Sequence, residues 1–162
     1  TNYATYGGVN RASYATWKAV YTSAGSGALS LQTMASVYNN CGIDESYPTL
    51  IVSPIAGVTK MWGLLQPQQR FSNEDVFVVG ARNIAFGNAP IVADPHQGST
   101  RMFFINEDFM HLYVNKNRRF SFIPFQLPTD KDIYVGHIRF YGQVICSSPR
   151  LQGHLNAVNF SL

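Results

Sequence analysis

The spacing of apolar residues changes along this chain from a helical period to a period of two, and this change constrains the fold more than any other feature of the sequence. From Leu29 to Cys41 apolar side chains recur at intervals of three and four residues, with Ser30 as a candidate N-cap and Gly42 as a stop. Further along the chain the pattern alternates, as it does in strands. The sequence therefore predicts a mixed α+β fold whose second half is rich in strands.

The first half is predicted to hold a second helix and one buried strand. Thr1 to Gly27 is expected to be irregular and rich in loops, whereas the short β-branched run Thr49 to Val52 favours a buried strand. Ser53 and Pro54 predict the start of the second helix, because serine can cap free N–H groups and proline lacks one at the first helical position. Pro67 is expected to end this helix.

The second half is predicted to be a succession of short strands and turns. Gly87-Asn88 is the expected turn of a hairpin, Asp94 to Gly98 a second turn, and Glu107 to His111 a short helical turn. Tyr134 to Cys146 is predicted to form one long final strand with an apolar face. The other predicted strands are Val76–Val79, Asn83–Phe86, Pro90–Ala93, Arg101–Ile105, Leu112–Val114 and Arg119–Phe122.

Composition points to a surface that is covered in the working state. The 162 residues suit one domain with a sizeable core. Charged residues make up 13% of the chain, about half of the roughly 25% of an ordinary soluble domain, whereas aromatic residues reach 14%. So few charges solvate a surface poorly, which suits a tightly packed assembly. The net charge of +3 comes from scattered residues, so the basic stripe of a dedicated nucleic-acid binder is missing from the sequence.

A soluble chain from a reducing compartment is expected. The sequence has neither an apolar window of membrane-spanning length nor the pattern of a signal peptide. Two distant cysteines, Cys41 and Cys146, do not make a disulfide framework and are expected to be free, buried thiols. The chain starts at Thr1 without an initiator methionine, so we expect that its N-terminus has been trimmed.

Residues that could carry catalysis or bind a metal are present but are not spaced for either. The histidines and cysteines do not follow CxxC, HxxxH or HExxH spacing, and no glycine-rich phosphate loop occurs. The adjacent acids Glu107 and Asp108 fit the first turn of a helix better than a pair for acid–base catalysis. The sequence therefore predicts no catalytic, cofactor-binding or metal-binding residue and no enzyme. The histidines are His96, His111, His137 and His154.

Two other functions remain open from these residues. Cys146 could act as a thiol nucleophile with a distant histidine, as in a cysteine hydrolase, although a cysteine on the apolar face of a strand is more often inert. The N-terminal aromatic residues could stack on sugars or bases in a small β-rich binding module, for glycans for example, although packing explains them better. These aromatic residues are Tyr3, Tyr6, Tyr14, Trp17 and Tyr21.

The order of segments resembles the major capsid proteins of tailed bacteriophages. The central hairpin Phe86 to Pro95, the strand Met102 to Asn106 and the segment Phe109 to Val114 carry the resemblance most clearly. Each motif is short and apolar, so it is the ordered set that carries weight. The flanking segments that fit the same order are 8–14 with Trp17, 29–41, 48–52, 64–71, 130–132, 134–146 and 150–155.

The resemblance implies a Hong Kong 97-like capsid fold, as a fragment centred on the axial domain. Residues 1–128 would form the axial domain, and residues 129–162 would be closing strands that return to the peripheral domain. The N-terminal arm, extended loop and spine helix of the family would lie before Thr1. Because the lysine that cross-links some members lies on that loop, no cross-linking role is assigned to Asn156 or Asn159.

The same resemblance implies a structural protein of the virion. Copies of the chain would assemble as hexamers and pentamers into an icosahedral shell around double-stranded DNA, in the cytoplasm of a host bacterium. Scaffolding, portal and decoration proteins would be further partners; contact with DNA would be non-specific, and neither a cofactor nor a membrane is implied. An encapsulin-like compartment that holds cargo protein is the alternative with the same fold. The candidate residues for subunit contacts are Arg70, Asp94, His96, Arg118 and Arg119.

Overall fold

A computed structural model describes residues 5–65, 84–129 and 131–161. Packing divides the chain into two compact units, which we call the sheet unit and the ribbon unit. The sheet unit combines Thr1–Glu107 with Ser148–Leu162, and the ribbon unit is Asp108–Ser147. The expected boundary between an axial domain (1–128) and closing strands (129–162) is a separate division of the chain and stays a prediction.

The sheet unit is built on a mixed six-stranded sheet. Its strands are β3 (Val20–Ser23), β4 (Leu50–Ser53), β5 (Ala85–Phe86), β6 (Ala89–Ala93), β7 (Met102–Ile105) and β12 (Gly153–Asn156). Their order is β3-β12-β7-β4-β6-β5, with β12 parallel to β3, β4 parallel to β6 and the other pairs antiparallel. A separate hairpin near the N-terminus consists of β1 (Thr5–Tyr6) and β2 (Val9–Asn10).

The first helix, α1, was predicted closely. It covers Leu31–Cys41, and the Ser30 hydroxyl accepts a hydrogen bond of 3.1 Å from the backbone N–H of Thr33, as an N-cap does. Gly42 follows the last turn, as predicted, but with φ −69° rather than in the left-handed region. The buried stripe of α1 consists of Met34, Val37, Tyr38 and Cys41.

The start of the second helix, α2 (Ile55–Leu65), differs from the prediction. Ser53 ends strand β4, and its hydroxyl donates to the Pro54 carbonyl at 3.2 Å instead of capping free N–H groups. The Pro54 carbonyl accepts the first helical hydrogen bonds, so proline occupies the cap position rather than the first turn. Within the described ranges, neither α1 nor α2 has the length and apolar content that crossing a bilayer would require.

Both helices contact the same face of the sheet. A Cβ atom added to Gly153 would meet the Cys41 sulfur of α1, and one added to Gly57 of α2 would meet the Ser53 hydroxyl. Phe104 is paired with Gly153 on one side and with Ile51 on the other, so all three residues lie on the same face of the sheet. Ser53 is two residues from Ile51 in β4 and therefore lies on that face as well. The core between them includes Leu29, Met34, Val37, Cys41, Ile51, Met61, Ile91, Met102, Phe104, Leu155, Val158 and Phe160.

The ribbon unit consists of two antiparallel strand pairs. Strand β8 (Met110–Val114) pairs with β11 (Gly142–Cys146), and β9 (Ser121–Gln126) pairs with β10 (Val135–Arg139). The prediction of one strand from Tyr134 to Cys146 is therefore wrong. Strand β10 ends at Arg139 and β11 begins at Gly142, and the partner strands β8 and β9 are likewise separated by residues 115–120. Every described residue of this unit is exposed or half-buried.

Four further predictions remain to be compared with the structure. The N-terminal segment was expected to be irregular, yet Val20–Ser23 is an edge strand of the main sheet. The expected helical turn is shorter than predicted, since it covers Glu107–Phe109 and is followed at once by β8. The hairpin around Gly87 is confirmed, with φ +61° at that glycine. The predicted strand Val76–Val79 lies outside the described residues.

Candidate functional site

Three cationic side chains lie at the surface of the ribbon unit, in the segment between strands β8 and β9. The Asn115 side chain accepts from the Asn117 backbone N–H at 3.0 Å and caps the single helical turn Lys116–Arg118. The backbone of Tyr141 bonds to both ends of this turn: its carbonyl accepts from Asn115 N–H at 2.9 Å, and its N–H donates to the Arg118 carbonyl at 3.0 Å. These bonds fix the backbone from which Lys116, Arg118 and Arg119 project, and all three side chains are exposed.

Aromatic rings surround these cations. The Arg118 guanidinium lies 4.6 Å from the centre of the Tyr141 ring, within the range of a cation–π contact. The rings of Phe120 and Phe140 have their centres 4.7 Å apart, although 69% of Phe120 and 42% of Phe140 are exposed. We call this set the basic-aromatic cluster: Lys116, Arg118, Arg119, Phe120, Phe140 and Tyr141.

The backbone at Phe120 is strained. Its φ of +51° lies in the left-handed region, which a bulky side chain rarely adopts. Such a conformation costs about 1–3 kcal/mol and is most often found where a segment binds or switches. The strain therefore marks the basic-aromatic cluster as a candidate binding surface, independently of its charge.

Both strand pairs of the ribbon unit expose paired apolar side chains. Leu112 and Val144 are directly paired across β8 and β11, and Phe122 and Ile138 are paired across β9 and β10. All four side chains are more than half exposed. These exposed pairs make the ribbon unit a candidate interaction surface, because a soluble monomer rarely presents large apolar patches to water.

The turn at Asp94 and His96 is a second candidate contact. The Asp94 carboxylate accepts from the His96 backbone N–H at 2.9 Å, and the Asp94 N–H donates to the Ser53 carbonyl at 2.9 Å. The Gln97 amide donates to the Arg101 carbonyl at 2.7 Å and closes the loop. Asp94 is thus used to hold the turn, while the His96 side chain is exposed. Of the other candidates, Arg118 and Arg119 belong to the basic-aromatic cluster, and Arg70 lies outside the described residues.

The residues considered for chemistry are dispersed. Burial raises the pKa of the Cys41 thiol to about 12, despite the nearby Arg150, so this thiol stays protonated near neutral pH. Desolvation, reinforced by the positive charge of Arg101, lowers the pKa of His154. Among residues 5–65, 84–129 and 131–161, no group of three or more histidine, cysteine or acidic side chains could hold a metal ion.

The N-terminal aromatic residues that could bind a sugar are used partly in packing. The Trp17 indole donates to the Tyr6 carbonyl at 3.0 Å, and the two rings lie 6.0 Å apart. Tyr21 contacts the ring of His154 edge to face. Tyr14 is 60% exposed, and Tyr3 lies outside the described residues.

The sequence predicted two cations of the cluster, Arg118 and Arg119, but not its aromatic half. Phe140 was assigned to the apolar face of a long strand, and Phe120 to a strand that starts at Arg119. The aromatic residues that follow the two arginines and precede Gly142 were a usable signal, because Arg and aromatic residues together are enriched at protein contacts.

Solved structures of shell proteins have the same fold as this chain. The cyanophage A-1(L) capsid asymmetric unit matches 95% of the chain with a TM-score of 0.66 at 13% sequence identity. The holo-SrpI encapsulin complex from Synechococcus elongatus PCC 7942 matches 90% of the chain with a TM-score of 0.62 at 12% identity. The chain spans 55% and 54% of the lengths of these two proteins. No protein-family model and no curated protein matches the chain.

These similarities confirm the predicted fold. The chain has the Hong Kong 97-like fold of a phage major capsid protein, which it shares with the encapsulin shell. At such low identity the likeness establishes the fold and leaves function to be argued from the surface.

Proposed function

We propose that this chain is part of a structural subunit that assembles with copies of itself into a closed shell. Its likeness to a capsid and to an encapsulin, over at least 90% of the chain, is the observation that carries the proposal. The exposed apolar side chains of the ribbon unit support it, since a shell repeats modest contacts many times and needs such surfaces on every copy. The protein acts through these contacts and is not an enzyme.

The proposed shell is the head of a tailed bacteriophage. Hexamers and pentamers of the subunit form an icosahedral capsid around double-stranded DNA, assembled in the cytoplasm of the host bacterium and retained in the virion. Scaffolding, portal and decoration proteins are its further partners. The order of motifs in the sequence supports this form of the proposal.

A second candidate is a compartment shell that encloses protein cargo. The likeness to the encapsulin complex, with a TM-score of 0.62, favours it specifically. The two candidates share the subunit contacts and differ in what the shell contains, so the contents of purified particles distinguish them.

Electron microscopy of the full product of the reading frame tests the proposal. After overexpression and sedimentation we expect closed shells of uniform diameter. Nuclease-protected DNA inside shells made during infection would identify a phage head, whereas a co-purifying protein would identify a compartment. A small species without shells, even when the neighbouring genes are co-expressed, would contradict the proposal and favour a binding domain.

The proposed subunit contacts are Arg70, Asp94, His96, Arg118 and Arg119. Replacing both Arg118 and Arg119 with alanine tests the pair with the clearest geometry. We expect an intact fold, because both side chains are exposed, together with a clear loss of particle yield. A normal yield of particles from the double variant would remove these two residues from the contact set.

A further inference from the structure

The sheet unit carries an acidic turn that complements the basic-aromatic cluster. The acidic turn consists of Asp44 and Glu45, which directly follow α1 and Gly42. Backbone hydrogen bonds between Ile43 and Ser46, of 3.0 and 3.1 Å, close it in both directions and leave the two carboxylates at its tip. Both side chains are exposed, and neither carboxylate has an ion-pair partner among the described residues.

A buried residue holds the acidic turn in place. The side-chain amide of Asn106, only 1% exposed, donates to the Ser46 hydroxyl and to the Tyr47 carbonyl, each at 3.0 Å. The Tyr47 ring stacks on Tyr38 of α1, with ring centres 5.5 Å apart. A turn fixed in this way loses little conformational entropy when it binds a partner.

Apolar side chains border the acidic turn. Ile43 is 41% exposed and Tyr47 is 43% exposed, one on each side of the carboxylates. The basic-aromatic cluster has the matching composition, with exposed Phe120 and Phe140 beside its cations. The two surfaces therefore match in charge and in apolar content, which is the combination found at specific protein contacts.

The remaining acids of the sheet unit are less suited to this role. The Glu107 carboxylate accepts from the Thr49 hydroxyl at 3.2 Å, and the Asp94 carboxylate accepts from the His96 backbone. In the described part of the sheet unit, the adjacent carboxylates of the acidic turn are thus better placed to bind a partner than those of Glu107 and Asp94.

We infer that the basic-aromatic cluster of one copy binds the acidic turn of a neighbouring copy. This inference rests on the proposed assembly of the chain with itself and names the surfaces that meet. Because the contact joins two different surfaces, each copy can bind one neighbour through its ribbon and another through its turn, which generates rings or extended arrays. Nucleic acid is a poorer occupant, since three clustered cations make a short track for phosphates.

Charge reversal on each side tests the contact in the full product of the reading frame. One variant combines Lys116→Glu with Arg119→Glu, which leaves the Arg118–Tyr141 contact intact. The other combines Asp44→Asn with Glu45→Arg, because asparagine tolerates the φ of +53° at position 44. Each variant alone places like charges together and should lower the yield of shells about tenfold or more. Both changes in one chain should restore the yield to within about threefold.

The matched control makes the same change of net charge as the Lys116→Glu and Arg119→Glu variant, at other positions. Lys18→Glu with Lys131→Glu reverses two exposed lysines outside both surfaces and should assemble like the wild type. Loss of shells from only one of the two reversed variants, or no recovery in the combined variant, would overturn the inference while the proposed function stands. Normal shells that retain less DNA when Lys116→Glu and Arg119→Glu are present would identify nucleic acid as the occupant and would also overturn the inference.

A cross-linking experiment gives an answer even if no closed shell forms. Copies with Glu45→Cys and copies with Arg119→Cys, both carrying Cys146→Ser, are mixed and oxidised mildly. Cys41 stays silent because it is buried and its pKa is raised to about 12. A disulfide between the two kinds of copy supports the contact, and its absence in the mixture contradicts it. Lys131→Cys in place of Arg119→Cys is the control and should give at least about tenfold less product.

Discussion

The two units of this protein use apolar residues in opposite ways. The sheet unit encloses its core, with Met34, Ile51, Met61 and Phe104 fully buried. The ribbon unit exposes comparable side chains, such as Phe125 at 66% and Ile138 at 70%. The difference follows from architecture: two helices contact one face of the six-stranded sheet, whereas each ribbon pair has only two strands.

Alternating apolar residues therefore predict a strand, but they do not predict whether its apolar face is buried. A two-stranded ribbon is marginally stable in water by itself. The ribbon unit is held by strand hydrogen bonds and ring contacts such as Phe120 with Phe140, and its apolar side chains remain exposed. We therefore expect the sheet unit to contribute most of the free energy of unfolding.

Truncating one phenylalanine in each unit tests this comparison most strongly. Phe104→Ala removes a fully buried ring between Ile51 and Gly153 and should lower the free energy of unfolding by about 3–5 kcal/mol. Phe125→Ala removes a ring that is 66% exposed and should cost less than about 1 kcal/mol. Urea denaturation of the unassembled chain measures both. Equal losses would show that the ribbon has a core of its own.

The cysteines give one chemical probe in each unit. Cys41 is fully buried with a raised pKa, whereas Cys146 is half-buried in the ribbon unit. Alkylation with iodoacetamide at pH 8 should therefore modify Cys146 at least about a hundredfold faster than Cys41. Mass spectrometry of the native protein over time gives the two rates, and denatured protein is the control in which they should converge. Similar rates in the native protein would mean that α1 opens readily.

The same glycine substitution in each unit sharpens the comparison. In Gly153→Ala the new methyl group would meet the Cys41 sulfur and the Phe104 Cβ, which are fixed in the core, so we expect a loss of about 1–3 kcal/mol. In Gly136→Ala the methyl group would meet the Phe125 ring at 3.0 Å, and an exposed ring can rotate away. The loss there should be under about 1 kcal/mol. Thermal unfolding of both variants decides whether only the sheet unit is tightly packed.

Acid should weaken the sheet unit slightly through His154. Desolvation and Arg101 lower its pKa below the ordinary 6.5, so the unfolded chain takes up a proton more readily than the folded one. The free energy of unfolding should therefore fall as the pH drops below 6.5, by a small amount because His154 is only half-buried. His154→Phe should flatten this dependence, measured by urea denaturation between pH 5 and pH 7. An unchanged slope would assign the acid sensitivity to other groups.

The sequence predicted charged residues of the candidate site, but it did not predict how the backbone and the aromatic rings arrange them. The sequence indicated Arg118 and Arg119 as contacts because they stand together in a chain with few charges. It could not indicate that Tyr141, more than twenty residues away in sequence, bonds to the backbone of Asn115 and of Arg118 and so fixes the turn that carries them. The acidic turn was missed as well, since two acids after a helix look like any solvated loop until the buried Asn106 is seen to hold them.

The sequence by itself determined the local elements whose signals lie within a few residues. Helix α1 with its Ser30 cap, strand β4 and the hairpin at Gly87 are examples, because cap, period and turn chemistry act over short range. Only the tertiary structure decided that Val20–Ser23 joins the sheet beside β12 and that the strand from Tyr134 is broken. Those outcomes depend on partners distant in the chain, which alone supply the hydrogen bonds and the cover that a strand requires.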